Sequence, residues 1–215
     1  MPPKPKFTKE EVVEVALELV GEKGLAALTA RELGERLGSS ARPIFTVFRN
    51  MEELTDEVRK AAMRKYEAYV GAAEHYKPIF KAFGVRMILF ATGKPKLFQL
   101  LFMSGNRDEE GLSAVAEHLG PTRDLCIEAI VHDYGLSPNE AKRFFEHMWV
   151  YTYGLSVLCA TGMCHFDEET IGVMLGREFM GMLSLMKHGN WDLPTPRVNM
   201  NCDEKCLETE NATVG

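Results

Sequence analysis

The sequence predicts an all-α chain: a compact three-helix unit at the N-terminus and a larger helical region behind it. Three observations predict this. Apolar residues recur at helical spacing nearly throughout, as in Val12, Val13, Ala16, Leu17, Leu19 and Val20. No stretch alternates apolar and polar residues between turn formers, as a half-buried strand would. Three helix-start patterns, Thr8 with Glu11, Thr29 with Glu32 and Asn50 with Glu53, fall close together in the first quarter of the chain. On this reading the chain divides into 1–70, 71–193 and a disordered tail, 194–215.

Thr8 and Glu11 form a capping box, in which side-chain acceptors take up two backbone donors that the first turn leaves orphaned. Gly24 ends that helix. Thr29-Ala-Arg-Glu32 repeats the box and starts a short helix with Leu33 and Leu37 on one side, which Gly38 stops. Ser39 and Ser40 can cap a third short helix with Pro43 in its first turn, where a missing N–H costs little. Ile44 and Phe48, four apart, face inward. Asn50 caps a longer helix, Met51 to Val70. Beyond it the spacing predicts helices over Pro78–Thr92, Lys96–Met103, Gly111–His118, Thr122–Asp133, Asn139–Thr161 and Glu168–Lys187. The breaks mostly carry Gly or Pro. Pro194–Gly215 loses periodicity and collects Pro, Asn, Asp and Glu.

The chain of 215 residues is long enough to bury a substantial core. No apolar run reaches the roughly 20 residues needed to span a bilayer. Met1-Pro-Pro-Lys-Pro-Lys6 starts with charge but has no apolar stretch behind it, so a cytoplasmic protein without membrane partners is expected. The net charge is −6, yet residues 1–70 hold twelve basic and twelve acidic side chains. The surplus acid therefore lies in 71–215, and a surface for nucleic acid must be a local patch near the N-terminus. Cys126, Cys159, Cys164, Cys202 and Cys206 are an odd set and read as reduced thiols. Cys164-His165 and Cys202-x-x-x-Cys206 lack zinc-site spacing, so no metal or other cofactor is expected. No nucleophile elbow, phosphate loop, dinucleotide fingerprint or H-E-x-x-H stretch points to an enzyme.

The informative feature is 29–48, two short helical segments about a Gly38-Ser39-Ser40 turn. This helix-turn-helix geometry brings a helix N-terminus into a DNA major groove. Ser39, Ser40 and Ala41 are small enough for close approach, and Arg42 can give two donors to a guanine edge. The helix starts at Thr29 and Ser40 carry partial positive charge that suits phosphate.

Gly24-Leu-Ala-Ala-Leu-Thr-Ala-Arg-Glu-Leu-Gly-Glu-Arg-Leu-Gly38, followed by Ile44-Phe-Thr-Val-Phe-Arg-Asn-Met-Glu-Glu-Leu54, resembles the tetracycline-repressor (TetR) family of bacterial regulators over roughly residues 8–66. The resemblance implies an all-helical homodimer. Its two DNA-binding domains would dock in successive major grooves of a palindromic operator, about 34 Å apart. A small-molecule effector in the C-terminal domain would spread these heads and release the DNA. It also implies DNA contacts from Thr29, Arg31, Ser39, Ser40, Ala41, Arg42, Phe45, Thr46 and Arg49. The family usually has Tyr, His and Lys where this chain has Phe45, Val47 and Met51. Each difference removes a phosphate contact, which keeps open a dimeric helical ligand-binding protein with weak or lost specific DNA binding.

By the same resemblance, helices 139–161 and 168–187 form half of an intersubunit four-helix bundle, with Gly172, Gly176 and Gly181 permitting close approach. Polar and soft residues on apolar helices suggest a ligand cavity. The candidates are Arg86, Met87, Gln99, Met103, Cys126, His147, Tyr151 and Tyr153.

Overall fold

The structure, a computed structural model, describes residues 6–104, 119 and 121–189. The described residues up to Leu183 form one compact unit, and those from Ser184 belong to a second. No strand occurs among the described residues, and no helix there is long and apolar enough to cross a membrane.

The three N-terminal helix starts lie where the capping residues placed them. Helix α1 (Lys9–Lys23) opens on a complete Thr8–Glu11 box, and Gly24, at φ 87°, ends it. A short 3-10 turn, Leu25–Ala27, leads to α2 (Ala30–Arg36). The box at α2 is only half formed. The Thr29 hydroxyl oxygen accepts from the Glu32 N–H, but the Glu32 carboxylate turns to Lys23 instead. The end of α2 is a Schellman closure about Gly38 at φ 63°: Ser39 N–H donates to Gly34 O at 2.8 Å and Gly38 N–H to Glu35 O at 3.0 Å.

The third short helix expected after Ser39 and Ser40 does not form as an α-helix. A turn at Arg42 and Pro43 leads into a single 3-10 turn, Ile44–Thr46. Pro43 supplies no N–H and disfavours the α conformation at the residue before it, which stops a helix from starting at Ser40. The inward pair is nevertheless kept, with Ile44 fully buried and Phe48 2% exposed. Burying two such side chains contributes about 1.5–3 kcal/mol each. That exceeds the roughly 0.2–1 kcal/mol of an exposed ion pair, so packing, more than charge, holds this turn in place.

Helix α3 (Met51–Gly71) starts at Asn50, whose side chain accepts from the Glu53 N–H, and buries Leu54, Val58, Ala61, Ala62, Tyr66 and Val70 along one face. It ends at Gly71, one residue beyond the expected Val70, and a 3-10 turn, Ala72–His75, follows. The rest comprises α4 (Ile79–Gly93), α5 (Pro95–Phe98), α6 (Pro121–Tyr134), α7 (Pro138–Ala160) and α8 (Glu168–Lys187). These match the expected spans within one residue, except that the segment expected as Lys96–Met103 is α5 running on into a π turn, Gln99–Met103. Helix α7 starts on a second complete capping box, Ser137 with Glu140. The expected helix 111–118 and the tail 194–215 lie outside the described residues.

Helices α4 and α7 form the most extensive pairing, and α4 is apolar on nearly every side. Phe80, Phe144, Phe145 and Phe179 make a connected aromatic cluster with ring centroids 4.9–6.0 Å apart. Val85, Ile88, Leu155, Cys159, Ile171 and Leu175 form a second core layer.

One glycine fixes the geometry of the N-terminal unit. A Cβ at Gly34 would lie 2.9 Å from both Ala41 N and Ser40 C, so α2 touches the backbone of the following turn there. Gly34→Ala should gain about 1 kcal/mol of helix propensity and still lose about 1–3 kcal/mol net, because backbone has to move. Urea unfolding monitored by circular dichroism measures this; a variant as stable as wild type would show that the contact does not constrain the fold.

Candidate nucleic-acid interface and ligand cavity

The turn between α2 and α3 presents one face outward. Ser40, Arg42, Phe45, Thr46 and Arg49 are exposed, while Ile44 and Phe48 point into the core. Ala41 and Ser39 are half-buried. Thr29 is exposed at the start of α2, and because its oxygen accepts from Glu32, its hydroxyl proton remains free to donate. The Thr46 hydroxyl donates to Pro43 O at 2.6 Å. Phe45 is 45% exposed, a large apolar ring held in solvent beside Arg42.

Local charge decides what this face can bind. Most basic residues near it are paired: Arg31 with Glu35 at 3.0 Å, Arg36 with Glu22, Lys23 with Glu32, and Lys9 with Glu53 at 2.9 Å. Arg42 makes no hydrogen bond or ion pair among the described residues. The Lys6 ammonium, 3.1 Å from Ser39 Oγ, adds a cation at the turn that the sequence reading overlooked. Its only signal was the basic character of the N-terminus. Exposed donors beside a helix start, with nearby carboxylates already occupied, are suited to phosphate and base edges.

Glu53 ties the face to the helices behind it. Its carboxylate takes Lys9 Nζ, the Arg49 backbone N–H at 2.8 Å and Arg49 Nε at 3.1 Å. The Lys9 ammonium also lies 5.1 Å from the centre of the Phe48 ring. Lys9 first, then the two Arg49 donors, lower the Glu53 pKa to about 2. Sequence reading found Glu53 only as a partner of the Asn50 cap; its cross-link to α1 spans 44 residues and leaves no local pattern.

Two donors connect this unit to the helices that follow. Arg59, on α3, donates to Leu100 O at 3.0 Å and Ser104 Oγ at 2.8 Å, on the π turn. Gln99 donates to Ala160 O at 2.8 Å, which joins the same turn to the end of α7.

A cavity of 210 Å³ opens among α4, α6, α7 and α8. Pro78, Phe80, Lys81 and Gly84 line one side, Tyr134 and Thr152 the base, and Leu175, Gly176, Phe179 and Met180 the other. None of the eight positions expected to hold a ligand is in this lining. Arg86 donates to Tyr69 O at 2.6 Å and stacks 4.4 Å from the Tyr69 ring. Met87 and Cys126 are fully buried, and burial pushes the Cys126 thiol up to about 12. Gln99 and Tyr153 are bonded to backbone carbonyls, at Ala160 and Phe102. Tyr151 packs on the second core layer, and Met103 and His147 are exposed. The structure does not gather the eight into one site. Three of them, Arg86, Gln99 and Tyr153, have a backbone carbonyl as partner. The cavity depends on glycines and aromatic rings, which read as ordinary packing.

The glycines expected at a subunit interface also divide. Methyl groups at Gly172 and Gly176 would lie 3.5 and 4.0 Å from the Lys81 side chain of the same chain, whereas among the described residues nothing comes within 4 Å of a methyl group at Gly154 or Gly181. Val150, Val173 and Met180 are large apolar residues exposed on α7 and α8.

Residues 12–58 match the family described as bacterial regulatory proteins, tetR family. Over 58 residues the chain is 36% identical to the tetracycline repressor protein class C of Escherichia coli, a match covering 27% of this chain and 26% of that protein. The chain thus aligns with about a quarter of the length of that relative. In fold, it resembles a Rhodococcus sp. RHA1 protein of unknown function, with a TM-score of 0.63 at 19% identity, covering 80% of this chain and 93% of that one. It also resembles a TetR variant from Acinetobacter baumannii AYE solved with minocycline, with a TM-score of 0.50 at 16% identity, covering 89% and 98%.

The Glu53 cross-link has an acid signature. An unfolded glutamate titrates near roughly 4.3, well above the folded value of about 2. Its stabilising contribution is therefore complete above about pH 4.3 and disappears as pH falls through about 2. In Glu53→Gln, the fall in melting temperature between those limits should be shallower than in wild type. Parallel melting curves for the two proteins would contradict the cross-link.

Proposed function

The N-terminal module of this chain belongs to the tetR family of bacterial regulatory proteins, and from that premise we propose that it is a homodimeric transcription repressor released from a palindromic operator by a small-molecule effector. The observation that carries the DNA reading is Arg42: exposed, without a partner among the described residues, and held on a turn that Gly34 fixes against α2. Arg42 reads a base edge. Thr29, Lys6 and the outward residues at 39–49 contact phosphates and fix the register.

Two copies pair through α7 and α8. Val150, Val173 and Met180 are exposed apolar side chains, and Gly154 and Gly181 leave space for a facing helix. A homodimer would set two Arg42 faces on successive grooves of a symmetric site. Effector binding among the C-terminal helices would act through α3 and the Arg59 contacts to the π turn, which connect that region to the DNA-facing turn.

A second reading keeps the dimer and the ligand but gives up tight operator binding. It is favoured by the single 3-10 turn at Ile44–Thr46 and by Phe45, Val47 and Met51, which offer phosphates no polar group. Salt dependence separates the two. A repressor gives tight, sequence-specific binding that weakens steeply with salt; the alternative gives only weak binding to any duplex.

Arg42→Ala should cost about 1–3 kcal/mol of operator binding and relax specificity at one base position. Fluorescence anisotropy on the chain's own upstream region measures it, and wild-type affinity in the variant would rule out Arg42 as the reader. Gly181→Arg should leave the isolated chain folded but shift it from dimer to monomer in sedimentation and weaken operator binding. A variant that stays dimeric would place the interface elsewhere.

A further inference from the structure

We infer that the cavity among α4, α6, α7 and α8 binds a small amphipathic monoanion, a carboxylate carried on one ring or a short acyl chain, with Lys81 as its counter-charge. This deepens the effector reading above and rests on it for the consequence at DNA; binding itself is a separate claim.

The cavity's size and walls set the apolar part. A dry apolar cavity of about 150 Å³ holds a benzene ring, and this one measures 210 Å³. It therefore has room for a single ring with a short arm. Phe80 and Phe179 pack against each other at a tilt, with ring centroids 5.5 Å apart, and supply aromatic wall to the cavity. Two further wall positions, Gly84 and Gly176, are glycine. At Gly84 even a methyl group would come within 3.0 Å of Leu175.

The polar part is set by Lys81. Its side chain lies across α8 where Gly172 and Gly176 leave a track, with the ammonium 4.0 Å from the Cβ position of Gly176, itself a wall of the cavity. Lys81 has no ion-pair partner among the described residues. A neighbouring open groove of 530 Å³ is lined by Lys81 together with Glu168, Lys77 and Arg86. A cation at the mouth of an apolar cavity favours a ligand with one negative end and repels a cationic one. Inside, the Thr152 hydroxyl already donates to Met148 O at 2.8 Å, which leaves its oxygen as an acceptor. Tyr134 supplies a neutral O–H, as any phenol does near neutral pH, and partial burial and the adjacent Asp133 charge move it further from ionisation. These few polar groups in an otherwise apolar cavity orient a ligand by one end.

The test compares 3-phenylpropionate with its neutral amide by calorimetry on the full chain. The acid should bind about fivefold more tightly than the amide, the upper range for an exposed ion pair, and the difference should shrink at high salt. Lys81→Gln should bring the acid down to the amide's affinity. Gly176→Leu, which adds a good helix former and fills the cavity, should abolish binding of both without lowering the melting temperature. Equal affinity for acid and amide, no saturable binding of either, discrimination surviving in Lys81→Gln, or binding surviving in Gly176→Leu would each overturn the inference. Anisotropy on operator DNA separates the two claims. If the acid binds but does not release DNA, the effector reading fails and the site stands. If Gly176→Leu is released by cell metabolites as readily as wild type, the site fails as the effector site and the effector reading stands.

Discussion

The rest of the structure depends on the continuous buried face of α3. One helix of 21 residues, about 30 Å long, carries Leu54 and Val58 into the core of the N-terminal unit and Tyr66 and Val70 into that of the following helices. Tyr66 packs edge-on against Phe90 of α4 and Phe102 of the π turn, with ring centroids 5.2 and 4.9 Å apart. A helix buried at both ends has no hinge between them. The packing of Tyr66 and the position of Asn50, which starts the helix, are therefore set by one rigid element. The π turn is where repacking near Tyr66 costs least, since its hydrogen-bond register is already irregular and Arg59 and Gln99 hold it from two sides.

The face at the far end of α3 is made positive by subtraction. The first 70 residues are charge-neutral. Glu22, Glu32, Glu35 and Glu53 are each occupied by a cation of the same unit. These exposed pairs add little stability individually, and their larger effect is on where charge remains. Carboxylates turned toward α1 and α2 leave Arg42 and Lys6 without a competing anion. A modest patch is consistent with a chain whose net charge is −6, because its long-range field repels DNA and only the local field attracts it.

Most of the fold was legible in the sequence because it is written in local chemistry. The capping residues Thr8, Thr29 and Asn50 start helices within a residue of where their side chains bond, and Ile44 and Phe48 are buried as their spacing requires. The α-helix expected at Ser40 failed for an equally local reason, Pro43, whose effect on the preceding residue outweighs its tolerance inside a first turn. The cavity among α4, α6, α7 and α8 was illegible. Its walls come from four helices spread over about a hundred residues, and the residues that open it carry no charge and no motif. Sequence could flag Arg86, Gln99 and Tyr153 as polar; it could not show that backbone carbonyls already satisfy them.

Glycine shows the same limit most clearly, because one residue type performs three different tasks here. Gly34 sits in a helix interior at a cost of about 1 kcal/mol relative to alanine, and that cost is offset by letting two backbones of the helix-turn-helix touch. Gly172 and Gly176 look like a helix-packing stripe, yet the side chain they admit is Lys81 from the same chain. Gly154 and Gly181 meet nothing within 4 Å. A small residue that excludes no neighbour in its own chain gains nothing from being small unless something else approaches. The space left above those two positions lies on the helices that also expose Val150 and Val173, so small and large apolar groups share that surface.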